Sequence, residues 1–220
     1  MTEPVSLSIK DLRESPRRPG RYLVVLDDGQ QLIVGLTVLA ETGATRVGAV
    51  LSPDVLARLR HEHVITALAD RGLDMLARGR RTRRELELRL RNREATPVQV
   101  SEALDRLEQA GFLSDEAVAS AEASSRLRRG EAPARVKQRL RRKGVSGAIV
   151  AEAVADAVRD DAFDEEAACR AVAAKKVRTL RGDDPVAAQR KLLGFLLRRG
   201  YGGGVARRVA REILGTRDAE

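Results

Sequence analysis

The chain has 220 residues, with 41 Lys plus Arg against 32 Asp plus Glu and a formal charge of +9. One cysteine and two histidines exclude a disulfide framework and any multi-cysteine zinc site. Aromatics at 2% leave almost no platform for stacking single-stranded bases, and the longest apolar run, Leu192 to Leu197, is far too short to span a bilayer.

A positive balance of this size selects an anionic partner, with nucleic acid the usual one. A second reading stands beside it. Only six of the 41 basic residues are Lys, and with the many alanines this also reads, less strongly, as compositional bias. Residues 1–16, MTEPVSLSIKDLRESP, lack the charged-then-apolar layout of a secretory signal, so the expected compartment is the cytoplasm.

In chain order, VSLSIKDL reads as a first strand. RYLVVLDDGQQLIVGL places two β-branched runs around Asp27-Asp28-Gly29, a hairpin signal in which Gly29 supplies the positive φ of the turn. Ser52 and Pro53 then suit the N-cap and first position of a helix. From there the pattern is almost wholly helical, and it repeats. Leu90, Leu140 and Leu196 recur at intervals of 50 and 56 residues. Leu86, Val136 and Leu192 stand four residues before them; Glu94, Gly144 and Gly200 stand four after. Val100, Val150 and Ala206 follow, then Ala103, Ala153 and Val209, then Leu107, Ala157 and Ile213. Spacings of three and four are those of one helix face, so each unit predicts a helix, a sharp stop and another helix. A further helix precedes each pair, over 64–77, 116–128 and 165–180.

Within the second unit, Val136 and Leu140 form the buried stripe, with Arg135, Lys137, Arg139, Arg141 and Arg142 on its flanks. Gly144 with Val145, and Gly200 with Tyr201, suit a left-handed helix stop. Lys143 and Arg199 suit the negative end of the helix dipole. Leu86, Leu88 and Leu90 alternate as in a strand, but Thr82 with Glu85 three residues on forms a capping box, and the repeat favours a helix.

The segments ARGRRTRRELELRLRNR, GFLSDEAVAS, RLRRGEAPARVKQRLRRKGV and QRKLLGFLLRRGY resemble, in this order and spacing, the RecX family of bacterial regulatory proteins, across residues 62 to 214. The resemblance implies three tandem three-helix units. It also implies binding to the RecA recombinase filament, lodging in its groove, with inhibition of strand exchange, ATP hydrolysis and co-protease activity in recombination and the SOS response. The chain departs from the family pattern where two acids are common, with Ser114 then Asp115, and where an aromatic is common, with Val118. The small side chains of 115–128 put the packing of that helix in question.

The expected fold class is therefore mainly α: a tandem array of three three-helix repeats forming an elongated, curved molecule after a small N-terminal β-hairpin region. The expected division is 1–60, then repeats at 61–113, 114–163 and 164–216, and a tail at 217–220.

No catalytic constellation emerges. His61 and His63 flank Glu62 and read as two solvent-facing residues, since positions two apart on a helix do not share a face. Asp160-Asp161 and Glu165-Glu166 lie near a helix start, where acids suit the dipole. The glycines at 202–204 are followed by no Lys-Ser/Thr and read as a helix restart. Cys169, among alanines, reads as a small core residue. Neither a metal nor a cofactor is implied, and the chain is expected to be a monomer and not an enzyme.

What remains is surface. Three basic clusters stand out as candidate RecA- or DNA-binding residues: Arg78, Arg80, Arg81, Arg83 and Arg84; Arg126, Arg128, Arg129, Arg135, Arg139 and Lys143; Lys191, Arg198, Arg199, Arg207 and Arg208. Singly, each is better explained as a solvated or helix-end charge; taken together, the clusters favour a binding role. The partner implied is the RecA filament, with single- or double-stranded DNA contacted through phosphates. The alternative function is a sequence-nonspecific DNA-binding protein acting without RecA.

Overall fold

The computed structural model describes residues 7–16, 18–91, 95–160, 162–180 and 184–215. The chain divides into two units: 1–80 with 86–113, and 81–85 with 114–220.

The first unit begins with an antiparallel sheet in the order β3-β2-β1-β4, made of β1 (Leu7–Glu14), β2 (Arg21–Leu26), β3 (Gln31–Gly35) and the short β4 (Val50–Leu51). The β2–β3 turn is the expected one. The Gly29 N–H donates to the Leu26 carbonyl at 3.0 Å, and the Gln30 N–H donates to the Asp28 carboxylate at 2.8 Å. Asp27 faces β1 and accepts from both the N–H and the hydroxyl of Ser8. Those bonds favour the carboxylate and hold its pKa below the ordinary range. A short helix, α1 (Leu36–Thr42), closes the region.

The next helix is longer than expected. α2 (Pro53–Ala77) runs 25 residues, capped by Ser52 and started by Pro53. Its first half sends Leu56 and Leu59 into the core of the sheet. Its second half sends Ile65, Leu68 and Ala69 into a helical core with α3 (Arg83–Leu90) and α4 (Pro97–Gln109). One helix thus serves two cores in this unit. In α3, Leu86 and Leu90 are fully buried and Leu88 is exposed, so the helical reading of the alternating leucines holds. Glu94, expected at the end of this helix, lies outside the described residues.

The second unit holds two more three-helix sets: α5 (Asp115–Arg128), α6 (Pro133–Arg142) and α7 (Gly147–Asp160), then α8 (Glu165–Val177), α9 (Pro185–Arg198) and α10 (Gly203–Gly215). The repeat positions are the core positions: Val136, Leu140, Val150, Ala153 and Ala157 in one cluster, Leu192, Leu196, Ala206 and Val209 in the other. The small side chains of α5 are used directly. Ala119 and Ala123 are fully buried between Val118 and Leu127. Ser114 is the N-cap of α5, its hydroxyl accepting from the Ala117 N–H at 2.9 Å. Among the described residues no helix is long and apolar enough to cross a membrane.

Candidate functional site

The second helix of each repeat in the second unit ends in the same way. At the end of α6 the Val145 N–H donates back to Leu140 and the Gly144 N–H to Arg141. At the end of α9 the Tyr201 N–H donates to Leu196 and the Gly200 N–H to Leu197. Both glycines have φ near +87°, the left-handed stop of a Schellman motif. Each glycine also receives an arginine at close range. A Cβ on Gly144 would lie 2.3 Å from the Arg84 Cβ. One on Gly200 would lie 3.0 Å from the Arg135 backbone nitrogen.

Hydrogen bonds reinforce both seats. The Thr82 hydroxyl donates to the Lys143 carbonyl at 2.7 Å. The Arg135 guanidinium donates to the Arg198 carbonyl, and the Tyr201 hydroxyl donates to the Gly130 carbonyl. The last carbonyls of a helix lack intrahelical donors, so the start of a second helix in one repeat supplies them for the next. Arg81, Arg83 and Arg84 of the first basic cluster are thereby set beside Lys143 of the second, and Arg135 of the second beside Arg198 and Arg199 of the third. Arg78 and Arg80 are exposed in the first unit.

Half of the second cluster is spent internally. Arg126 pairs with Glu131 at 2.9 Å and Glu122 at 3.6 Å; Lys143 pairs with Glu122 at 2.6 Å; Arg139 approaches Glu131 at 3.8 Å. Glu122 and Glu131 have side chains only 13% and 16% exposed, so these cations neutralise carboxylates that are largely withdrawn from water. Arg128 and Arg129 are exposed. In the third cluster, Arg208 pairs with Glu166 at 2.7 Å and holds that carboxyl below its usual range. Lys191 and Arg207 are exposed on α9 and α10.

Two clefts remain on α6 and α9, and they share Arg135. One, of about 470 Å³, is lined by Glu131, Arg135, Phe195, Arg198 and Arg199. The other, of about 280 Å³, is lined by Arg135, Gln138, Arg139, Arg142 and Lys143. Arg142 and Arg198 are exposed and have no carboxylate partner among the described residues. Arg199 and Lys176 lie 5.1 and 5.6 Å from the centre of the Phe195 ring, a cation–π arrangement that holds the ring edge of the cleft. The sequence reading missed Phe195 and gave Arg142 only as a flank. The spacing of Arg135, Gln138, Arg139 and Arg142, one face of a helix, was the available signal.

The cores offer no nucleophile to this surface. Cys169 is fully buried and its thiol is pushed up to about 11, chiefly by burial. Tyr201, 2% exposed, is likewise pushed up to about 12 by burial. Among the described residues no group of three or more His, Cys, Asp or Glu is placed to hold a metal.

In the first unit His61 is exposed, as expected of it, whereas His63 is half-buried and engaged. His63 Nδ1 accepts the Ile33 N–H at 2.9 Å, closing the edge of β3. His61 meets Glu102 at 2.9 Å. Glu62 itself, 5% exposed, takes two bonds from Arg106, at 2.7 and 2.6 Å, and one from the Thr66 hydroxyl at 3.0 Å. Burial pushes the Glu62 pKa up, but the paired Arg106 bonds outweigh it and the net direction is down.

Comparison with known proteins fits this arrangement. The second three-helix domain of RecX matches residues 114–154 and the third matches residues 164–210. The regulatory protein RecX of Streptomyces coelicolor is 40% identical over 135 residues, covering 61% of this chain and 70% of that protein. The chain belongs to the RecX family. The regulatory protein RecX of Thermobifida fusca is 36% identical over 143 residues, covering 64% of this chain and 76% of that one. A crystal structure of a regulatory protein RecX superposes with a TM-score of 0.74 over 92% of this chain and 98% of its own, at 20% identity, which shows the shared fold. The relatives named here are regulatory proteins and none is named as an enzyme.

Proposed function

We propose that this RecX-family protein is a cytoplasmic, monomeric regulator that binds the RecA–DNA filament, occupies its groove and mostly inhibits its strand exchange, ATP hydrolysis and co-protease activity. The observation that carries the reading is the pair of adjoining clefts joined at Arg135, where Arg142 and Arg198 present charge that no internal carboxylate consumes. The same cations suit either acidic protein surface or phosphate, and a filament offers both. Occupying the groove blocks a second DNA. Binding one protomer arrangement better than another shifts the filament's state, since a ligand moves an equilibrium only by differential affinity. In this reading residues 1–60 form an N-terminal region, the repeats are 61–113, 114–163 and 164–216, and Arg126, Arg139 and Lys143 are held in place by Glu122 and Glu131.

The test is binding of the protein to preassembled RecA filaments, read by anisotropy, for the wild type and for Arg142→Glu with Arg198→Glu. The double variant is expected to bind about tenfold more weakly or worse, in the range for losing two interfacial charges, with its helical circular dichroism unchanged. Unaltered binding would remove this face from the contact. If bare duplex is bound as tightly as the filament, with a loss of about 0.9 log units per log salt for each phosphate neutralised, the protein is a nonspecific DNA binder acting without RecA.

A further inference from the structure

A second groove in the second unit shares no residue with the α6–α9 clefts. It lies between α9 and α10, has a volume of about 530 Å³, and is lined by Val186, Leu193 and Ala210 together with Gln189, Arg190, Arg207 and Arg211. Val186 is 73% exposed, and Leu197, further along the same helix, is 46% exposed. Positions 186, 190, 193 and 197 fall on one stripe of α9, while the opposite stripe buries Ala188, Leu192 and Leu196. Hydrophobic packing therefore accounts for one face of α9; on the other, Leu193 is partly covered by the core while Val186 and Leu197 stay exposed.

The floor is set by a small residue. Ala210, at the bottom of the groove, is 1% exposed and belongs to the core beneath it. The rim is of one sign. Arg190, Arg207 and Arg211 are exposed, no carboxylate lines the groove, and none of the three has an ion-pair partner among the described residues. An open apolar seat ringed by guanidiniums matches a chain that carries apolar anchors on one side and carboxylates on the other.

We propose that this groove is a docking site for an acidic, apolar-anchored protein segment, bound with its hydrophobic side chains against Val186 and Leu193 and its carboxylates on Arg190, Arg207 and Arg211. The site goes beyond the basic clefts: it takes a peptide rather than a phosphate backbone, because its centre is apolar.

The probe is a fluorescein-labelled peptide of about fourteen residues, rich in Glu, with two leucines one helical turn apart, and a control in which both leucines are Ser. The full-length protein is expected to bind the leucine peptide saturably and the control at least about tenfold more weakly, the scale of losing an interfacial anchor. Val186→Glu and, separately, Arg207→Glu should each weaken the leucine peptide by a similar factor. Both positions are exposed, so the fold is kept. Arg142→Glu with Arg198→Glu should leave peptide binding unchanged, which separates this site from the filament contact proposed above. Equal binding of both peptides, or Val186→Glu binding like the wild type, would overturn the proposal. A dimer in sedimentation that disappears in Val186→Glu would also overturn it, since a second copy would then cover the groove.

Discussion

Gly144 and Gly200 each serve two purposes, and an alanine fails at both. The left-handed φ strains any Cβ, and the space is already taken by the Arg84 side chain at Gly144 and by the Arg135 backbone at Gly200. Gly200→Ala is expected to destabilise the protein by about 2–3 kcal/mol, combining strain with a backbone shift, measured as a lower denaturant midpoint. Ala162 is the converse case. It ends α7 with φ of +44°, and the Phe163 N–H still donates back to Val158. Ala162→Gly should therefore raise stability by about 0.5–1 kcal/mol, seen as a higher Tm. An unchanged or lower Tm would mean that the left-handed residue costs nothing there. The glycine stops were legible in the sequence because Gly-Val and Gly-Tyr follow basic helix ends at matching positions. Ala162 was not, because alanine carries no sign of a positive φ.

At the scale of elements, the legible parts were those whose side chains repeat. The second and third helices of each repeat follow from apolar residues at fixed spacing, and the hairpin from Asp-Asp-Gly between β-branched runs. The two-residue β4 and the seven-residue α1 left no period long enough to read. The length of α2 was hidden because its two halves face different cores, so that no single stripe continues along it. Glu62 was missed for a related reason. A glutamate between two histidines looks solvated until α4 brings Arg106 to it from 44 residues away. That pair ties α2 to α4. Arg106→Leu leaves a buried carboxylate unpaired and should cost about 2–4 kcal/mol, less than a fully buried pair because Arg106 is partly exposed. The pH dependence has a definite sign. The folded pKa of Glu62 is lowered, so its contribution is present above the unfolded value, near 4.3 for a free glutamate, and is lost as pH falls through the folded one. Glu62→Gln should flatten the acid limb of the stability curve. An acid limb identical to that of the wild type would show that the pair contributes nothing to acid sensitivity.

At the scale of the whole molecule, net charge predicted an anionic partner but not which cations meet it. Of sixteen basic residues singled out by clustering, Arg126, Arg139, Lys143 and Arg208 are paired with carboxylates, and Arg84 and Arg135 are engaged at glycine helix stops. Sequence proximity put Arg198 and Arg135 in separate clusters; the repeat seats them together. The sum of charges is thus a poor guide to the face, and the unpaired guanidiniums a better one. The central claim, that this face regulates a RecA filament, is tested most directly by RecA-catalysed, single-strand-dependent ATP hydrolysis with the protein added after filaments have formed. The account predicts strong inhibition well below one molecule per RecA protomer, and its loss in Arg142→Glu with Arg198→Glu. Inhibition appearing only when the protein is abundant enough to coat the DNA, or persisting undiminished in the double variant, would contradict it.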